Sequence, residues 1–162
     1  MKYLLFLLPF ISSFSFSQEK RISAKMISSK INSHLLSSYP TVKKFHFYTE
    51  IIAQVPYIEC EFKYENDHYS LLFLNDSLIE VEVEVPFSEI PEIERLKISN
   101  RLNNDFESYK IIECQKVNQF SNVKYEITLQ VKRKGKFEYY FNSLGEFIER
   151  EEETEIPIQT QF

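Results

Sequence analysis

The second half of this 162-residue chain is a degenerate copy of the first, displaced by 67 residues (106 minus 39). The displacement sets Tyr39 on Phe106 and Leu35 on Leu102, and it carries Phe47 to Cys114 without a gap. A repeat constrains the architecture before any single residue is interpreted, because each unit must bury its apolar side in a similar way. We therefore expect two similar units side by side with a shared surface, and not one asymmetric catalytic cleft.

The first 17 residues have the pattern of a secretory signal. Lys2 supplies a positive charge, residues 3–11 form an apolar run too short to span a bilayer, and Ser15 and Ser17 are small residues before a cleavage point. We expect residues 1–17 to be removed after Ser17, which leaves a mature chain of 145 residues (162 minus 17). The sequence thus predicts a periplasmic or secreted protein with no transmembrane segment after signal cleavage.

Charge argues against nucleic acid as a partner. The formal net charge is −5 at pH 7, and removal of Lys2 with the signal makes it −6. A negative chain repels phosphate backbones. The predicted partner is another exported or envelope protein, and self-association is an open alternative.

Two segments have the apolar spacing of half-buried helices. The first ends at Tyr39-Pro40, since the residue before proline is pushed out of the α region. The second opens at Ile90-Pro91, where proline suits the first helical position. Their apolar positions are Ala24, Ile27, Ile31 and Leu35 in the first helix, and Leu96, Ile98, Leu102 and Phe106 in the second.

Strict alternation of apolar and polar residues predicts strands with one buried face. Its clearest case is the segment 123–131, in which Tyr125, Ile127 and Leu129 alternate with Glu126, Thr128 and Gln130. We predict an α+β fold of two tandem repeats, each with one helix packed on a roughly four-stranded antiparallel sheet. The first repeat covers residues 18–87, the second covers 88–157, and 158–162 form a tail.

The 67-residue displacement also predicts an apolar surface patch. Because it aligns Ser70, Leu72 and Leu74 with core positions of the second repeat, it directs Tyr69, Leu71 and Phe73 outward, and Tyr140 faces the same way. Exposed apolar clusters often mark contact surfaces, so these four are the predicted partner-binding residues. The alternatives are a register slip at His68 or cover by another segment. A surrounding acidic rim is predicted at Glu59, Glu61, Glu80, Glu82 and Glu84.

No sequence pattern typical of catalysis is present. His34, His46 and His68 are scattered, there is no zinc-binding spacing, and Gly135 and Gly145 are too few for a phosphate-binding loop. We therefore predict no catalytic, cofactor-binding or metal-binding residues, no cofactor and no enzymatic activity.

Two cysteines in an exported chain raise the question of a disulfide. In a simple meander two strands separate Cys60 from Cys114, at about 4.8 Å each, and this exceeds the roughly 7 Å that a bridge allows between Cα atoms. We favour two buried free thiols over a bridge. The turn at Asn75-Asp76-Ser77-Leu78 also contains short glycosylation patterns at Asn75 and Ser77, for which an ordinary turn is the simpler interpretation.

Several of these elements together resemble a known family. The helix opening at Ile90-Pro91, its end at Phe106, the Tyr125-Glu126 strand and the turn Phe141-Asn142-Ser143-Leu144-Gly145 are similar to those of the PepSY-like family of exported Bacteroidetes proteins. These are also described as β-lactamase-inhibitor-like. The resemblance spans residues 24–153, with Asn142 where the family usually has Asp. It implies two helix-plus-sheet repeats outside the cytoplasm and no known catalysis, so no catalytic residue is carried over.

The function expected from the sequence is that of an exported, non-catalytic binding module. It would bind a protein through the helix-free face of its sheet, with inhibition as a further possibility. The alternative is an envelope-associated structural protein that associates with itself.

Overall fold

The protein was analysed as a computed structural model, which describes residues 20–52, 54–120 and 122–153. The predicted signal peptide at 1–17 and the predicted tail at 158–162 lie outside the described residues. Within the described residues, no helix has both the length and the apolar character needed to cross a membrane.

Nine antiparallel strands form one continuous sheet, in which every strand pairs with its neighbours in sequence order. The strands are β1 (Lys20–Ile22), β2 (His46–Ile52), β3 (Val55–Tyr64), β4 (Asp67–Leu74), β5 (Ser77–Glu84), β6 (Lys110–Gln119), β7 (Asn122–Val131), β8 (Gly135–Asn142) and β9 (Phe147–Glu153). Helix α1 (Ser29–Ser38) lies between β1 and β2, and helix α2 (Glu92–Asp105) lies between β5 and β6. Single 3-10 turns at Ala24–Met26 and Phe87–Glu89 precede the two helices.

The predicted fold of two repeats, each with its own four-stranded sheet, is wrong. Strand β5 pairs with β6, with Glu80 opposite Gln119 and Glu84 opposite Gln115, so no sheet edge separates the halves of the chain. Strand β1 pairs with β2 and is the ninth strand of the sheet. The physical reason is that an open edge exposes a row of unpaired N–H and C=O groups, and pairing β5 with β6 satisfies these groups on both strands.

Both helices begin and end where local chemistry favours it. The Ser28 hydroxyl accepts a hydrogen bond from the backbone N–H of Ile31 at 3.2 Å and caps α1, which ends at Tyr39. Helix α2 begins directly after Pro91 and ends at Phe106. The buried side chains are Ile31 and Leu35 of α1 and Ile98 and Leu102 of α2, whereas Ala24 and Leu96 of the predicted stripes are exposed.

Each helix covers its own group of buried side chains on the sheet. The α1 cluster consists of Ile27, Ile31, Leu35, Phe47, Cys60, Phe62, Leu71 and Phe73. The α2 cluster consists of Ile90, Ile98, Leu102, Phe106, Cys114, Tyr125, Ile127, Leu129, Val131, Phe137, Tyr139 and Phe141. These side chains exclude water from the area between helices and sheet, which is the main source of stability in a fold of this size.

The predicted outward direction of the β4 side chains is also wrong. Leu71 pairs with Cys60 and is 0% exposed, and Phe73 is 1% exposed, so both belong to the α1 cluster. The β3–β4 turn has two residues between the paired positions Tyr64 and Asp67, whereas three residues separate the paired Val131 and Gly135. A difference of one residue moves every following side chain to the opposite face. The 67-residue displacement therefore assigned β4 to the wrong faces.

The two cysteines are free, and both are buried. Cys60 lies on β3 and Cys114 on β6, with β4 and β5 between them, as the sequence analysis expected. Burial raises the pKa of each thiol to about 12. At neutral pH both cysteines are therefore protonated and poorly nucleophilic.

The β8–β9 turn is anchored to α2 by a glycine. Gly145 has a φ of +71°, and a Cβ at this position would lie 2.6 Å from the backbone oxygen of Glu94. The Asn142 side-chain oxygen accepts hydrogen bonds from the backbone N–H groups of Leu144 and Glu146, each at 2.9 Å. An Asn at this position therefore holds the turn through the same kind of oxygen acceptor that the Asp of similar turns would supply.

Candidate functional site

Both helices pack on the same face of the sheet. Phe62, Tyr69, Val83, Lys116 and Tyr125 are paired in succession across β3 to β7, so their side chains share one face. This row starts in the α1 cluster and ends in the α2 cluster. The opposite face carries neither α1 nor α2, and we call it the helix-free face.

The centre of the helix-free face is rich in carboxylates. Five glutamates from both halves of the chain meet there, and we call them the acidic cluster: Glu59, Glu80, Glu82, Glu126 and Glu138. They come together because β5 pairs with β6, which places Glu82 opposite Val117 and Glu84 opposite Gln115. Strand β7 then places Glu126 opposite Gln115. The cluster therefore exists only because the sheet is continuous.

Burial and mutual repulsion raise the pKa of two members of the acidic cluster, Glu82 and Glu126. Burial and the nearby Glu138 together raise the pKa of Glu126 from its ordinary value of 4.5 to about 8, although Lys124 opposes the shift. Burial also raises the pKa of Glu82 well above its ordinary range, and Glu126, Glu80 and Glu59 add to the effect. Like charges held close together in a poorly solvated place disfavour ionisation.

Hydrogen bonds and one cation hold the edges of the acidic cluster. The Ser70 hydroxyl donates to the Glu59 carboxylate at 2.7 Å. The Tyr140 hydroxyl donates to the Glu138 carboxylate at 3.1 Å. The Lys124 ammonium lies 3.8 Å from the Glu80 carboxylate and 5.4 Å from the centre of the Tyr140 ring. Lys124 is thus a local counter-charge to several carboxyl groups.

The structure separates the four predicted partner-binding residues. Tyr69 lies on the helix side, where its ring stacks on Phe62 with centroids 5.5 Å apart, and Leu71 and Phe73 lie in the α1 cluster. Tyr140 alone lies on the helix-free face, opposite Glu126 in the sheet register, and it is only 6% exposed. These four residues do not form one surface.

The predicted acidic rim lies on the helix-free face, and three of its members, Glu59, Glu80 and Glu82, join the acidic cluster. The site residues predicted from the sequence do not include Glu126, Glu138 or Lys124. Alternation in β7 already placed Glu126 on a polar face, and this was the one signal that could have included it. Its closeness to Glu82 depends on the pairing of β5 with β6.

The acidic cluster can attract a cationic group. Within the described residues, no group of three or more His, Cys, Asp or Glu side chains is placed to hold a metal ion. A Lys or Arg side chain from another molecule needs less regular geometry than a metal, and it favours the charged form of each carboxyl that it approaches.

Glu126→Gln should stabilise the protein at high pH and change it little at low pH. The folded state keeps a proton on Glu126 up to about pH 8, whereas an unfolded glutamate releases it near 4.5. Between these values the folded state binds more protons, so the stability of the wild-type protein falls as pH rises. We expect a gain of roughly 1–3 kcal/mol at a pH of about 9, allowing for solvent screening.

Urea unfolding of the wild-type protein and the variant across this pH range measures the effect. Glu107→Gln is the control, because Glu107 is exposed and lies beyond α2. A gain for Glu126→Gln that is the same at low and high pH would contradict the raised pKa.

No protein-family model matches the chain, and no curated protein matches it. Several solved structures share its fold. A DUF2874 family protein from Bacteroides uniformis has 13% identity and a TM-score of 0.64, with 77% of this chain and 88% of that chain covered. A protein from Bacteroides eggerthii that is described as a proposed periplasmic protein has 14% identity and a TM-score of 0.65, covering 76% and 87%.

A BLIP-like protein from Bacteroides fragilis has 12% identity and a TM-score of 0.62, with 83% of this chain and 92% of that chain covered. None of these neighbours carries the PepSY name, so that part of the resemblance stays a prediction. At such identities the similarity shows the fold alone. The chain shares the fold of these Bacteroides proteins, one of which is described as BLIP-like, and this agrees with the β-lactamase-inhibitor-like part of the sequence resemblance.

Proposed function

We propose that this chain is an exported, non-catalytic module that binds another protein through the helix-free face of its sheet. The observation that carries the proposal is the acidic cluster, in which burial and neighbouring carboxylates raise the pKa of Glu82 and Glu126. A cluster of this kind destabilises the isolated fold, and residues that act against stability are concentrated at functional sites.

A partner with Lys or Arg side chains would relieve the repulsion within the cluster. An approaching cation lowers the pKa of each carboxyl, and the protons released on binding become part of the binding equilibrium. Charge complementarity of this type raises association rates and selects partners more than it sets affinity. Leu72 and Leu74 are half-buried on the same face and would add apolar contact area beside the charges.

Two features support the non-catalytic part of the proposal. The sequence lacks the patterns of known nucleophile, metal and phosphate sites. Both thiols, the strongest potential nucleophiles of the chain, are buried with pKa values of about 12.

The signal-like residues 1–17 and the fold shared with a proposed periplasmic protein support an exported location.

The alternative function is that of a self-associating envelope protein. Two copies that met with their acidic clusters face to face would repel one another, and this disfavours a symmetric dimer centred on the acidic cluster. A partner of opposite charge has no such penalty. We therefore favour binding to a different protein.

The test uses the mature chain as bait in an envelope extract of its native host, with quantitative mass spectrometry of the captured proteins. The double variant Glu82→Gln with Glu126→Gln should lose the specific partner while it gains stability in urea. The control Glu89→Gln with Glu107→Gln makes the same two side-chain replacements at exposed positions outside the helix-free face, and it should keep the partner.

Capture must also be repeated with the purified partner, and it should weaken as salt concentration rises. Equal capture by the wild-type protein and the cluster variant would overturn the proposed binding face. Concentration-dependent self-association of the wild-type protein that the cluster variant leaves unchanged would favour the alternative function.

A further inference from the structure

A second site lies at one corner of the sheet, and its charge differs from that of the acidic cluster. A surface cavity of about 610 Å³ opens between the chain segment that leads into β2 and the strands β2, β3 and β4. Five of the residues that line it carry basic side chains, and we call it the basic pocket after them: Lys43, Lys44, His46, Lys63 and His68. Neither the proposed function nor the acidic cluster uses these residues.

The strand register explains why the basic groups meet. His46 is opposite Glu61 in the β2–β3 pair, and Lys63 is opposite His68 in the β3–β4 pair. Residues directly opposite each other point to the same face, so these side chains come from three adjacent strands. The residues 41–44 close the cavity from the side and bring Lys43 and Lys44 to it.

The basic pocket concentrates positive charge in a negative protein. Its three lysines face one lining carboxylate, Glu61, although the net charge of the whole chain is −5. In the part of the chain that the structure describes, none of these three lysines forms a salt bridge. Unneutralised cations around a concave site raise the local concentration of anions.

His46 adds a donor of defined orientation. The Arg21 guanidinium lies 2.9 Å from Nδ1 of His46. A guanidinium has no acceptor atom, so it must donate this hydrogen bond and Nδ1 must accept it. The ring proton of neutral His46 is therefore on Nε2, and the Nε2–H group is the hydrogen-bond donor of the ring. Arg21 also brings a further positive charge to the edge of the basic pocket.

We propose that the basic pocket binds a phosphate or sulfate group, free or carried by a small molecule. Lysine ammonium groups, an imidazole N–H and the Thr41 hydroxyl are hydrogen-bond donors, and charged donors bind oxyanions about twice as strongly as neutral ones. A cavity of 610 Å³ lies within the size range of small-molecule sites and exceeds what a bare ion fills. Three lysines against one carboxylate match a group with two negative charges.

The experiment titrates the mature protein with inorganic phosphate, sulfate and glucose 6-phosphate, followed by two-dimensional amide NMR and by calorimetry. We expect shifts centred on Lys43, Lys44, His46 and Lys63, with a dissociation constant of about 1 mM or tighter for at least one probe. Stronger binding of glucose 6-phosphate than of phosphate would assign the group to a small molecule. The reverse order would assign it to the free anion.

The variant Lys43→Gln with Lys63→Gln should weaken binding of that probe by about tenfold or more, since two charged donors are removed. The control Lys25→Gln with Lys132→Gln removes the same charge at exposed positions that do not line the cavity, and it should change binding by no more than about twofold. Thermal unfolding checks that both variants fold. Absence of binding by all three probes, or equal weakening in both variants, would overturn the proposal.

Discussion

Replacing Leu71 and Phe73 together with serine should unfold the protein at room temperature. Leu71 is 0% exposed and Phe73 is 1% exposed, and both lie in the α1 cluster beneath the helix. Truncation of a buried leucine or phenylalanine costs about 2–5 kcal/mol of folding stability each. The two serine hydroxyls would be buried without hydrogen-bond partners, which lowers the stability further. A total of roughly 5–10 kcal/mol equals most of the stability of a typical domain.

Far-UV circular dichroism and the dispersion of amide NMR signals measure this result. The matched control is Leu72→Ser with Leu74→Ser, which makes the same kind of change at half-buried positions on the helix-free face. We expect the control to fold and to lose roughly 1–3 kcal/mol. If the control unfolded and the Leu71/Phe73 variant kept its wild-type urea midpoint, the register of β4 would be shifted by one residue.

Leu129→Ala should lower the free energy of unfolding by about 2–5 kcal/mol. Leu129 is 0% exposed in the α2 cluster, and it lies between its register partners Ile111 on β6 and Phe137 on β8. The lost methyl groups leave a cavity in the middle of a paired strand, where the backbone cannot collapse to fill it. Urea unfolding measures the loss, with the same dependence of the unfolding free energy on urea concentration for the wild-type protein and the variant.

Gln130→Ala is the neighbouring control. Gln130 is exposed, and its side-chain amide donates to the backbone oxygen of Gly135 at 3.0 Å. Removal of one exposed hydrogen bond should change stability by no more than about 0.5 kcal/mol. Similar losses from Leu129→Ala and Gln130→Ala would show that the two residues do not lie on opposite faces of β7.

The helix-free face combines two charge environments that act in different ways. The acidic cluster lies at the centre of the sheet and holds carboxyls whose pKa is raised by burial. The basic pocket lies towards β2 and is lined by three lysines and one glutamate. Opposite charges on one face orient an approaching molecule as well as attract it.

The sequence alone determined the features that depend on nearby residues. The spacing of Ile31 with Leu35 and of Ile98 with Leu102 identified the buried faces of both helices, and Pro91 marked the start of α2. The alternation in 123–131 identified which side chains of β7 face the helices, including Ile127 and Leu129, whereas Thr128 on the other face is buried as well. These patterns are local, because side chains return to the same face of a helix or strand every few residues, whatever surrounds the element.

The tertiary structure decided what depends on turns and on distant pairing. One residue less in the β3–β4 turn than in the β7–β8 turn reversed the faces of Leu71 and Phe73, and no periodicity within β4 shows this. The pairing of β5 with β6 joined the two predicted sheets and brought Glu82 close to Glu126. Residues 44 positions apart (126 minus 82) meet only when strands pair across the sheet. The backbone groups of a strand can form hydrogen bonds with any neighbouring strand, so the sequence of one strand does not determine which strand pairs with it.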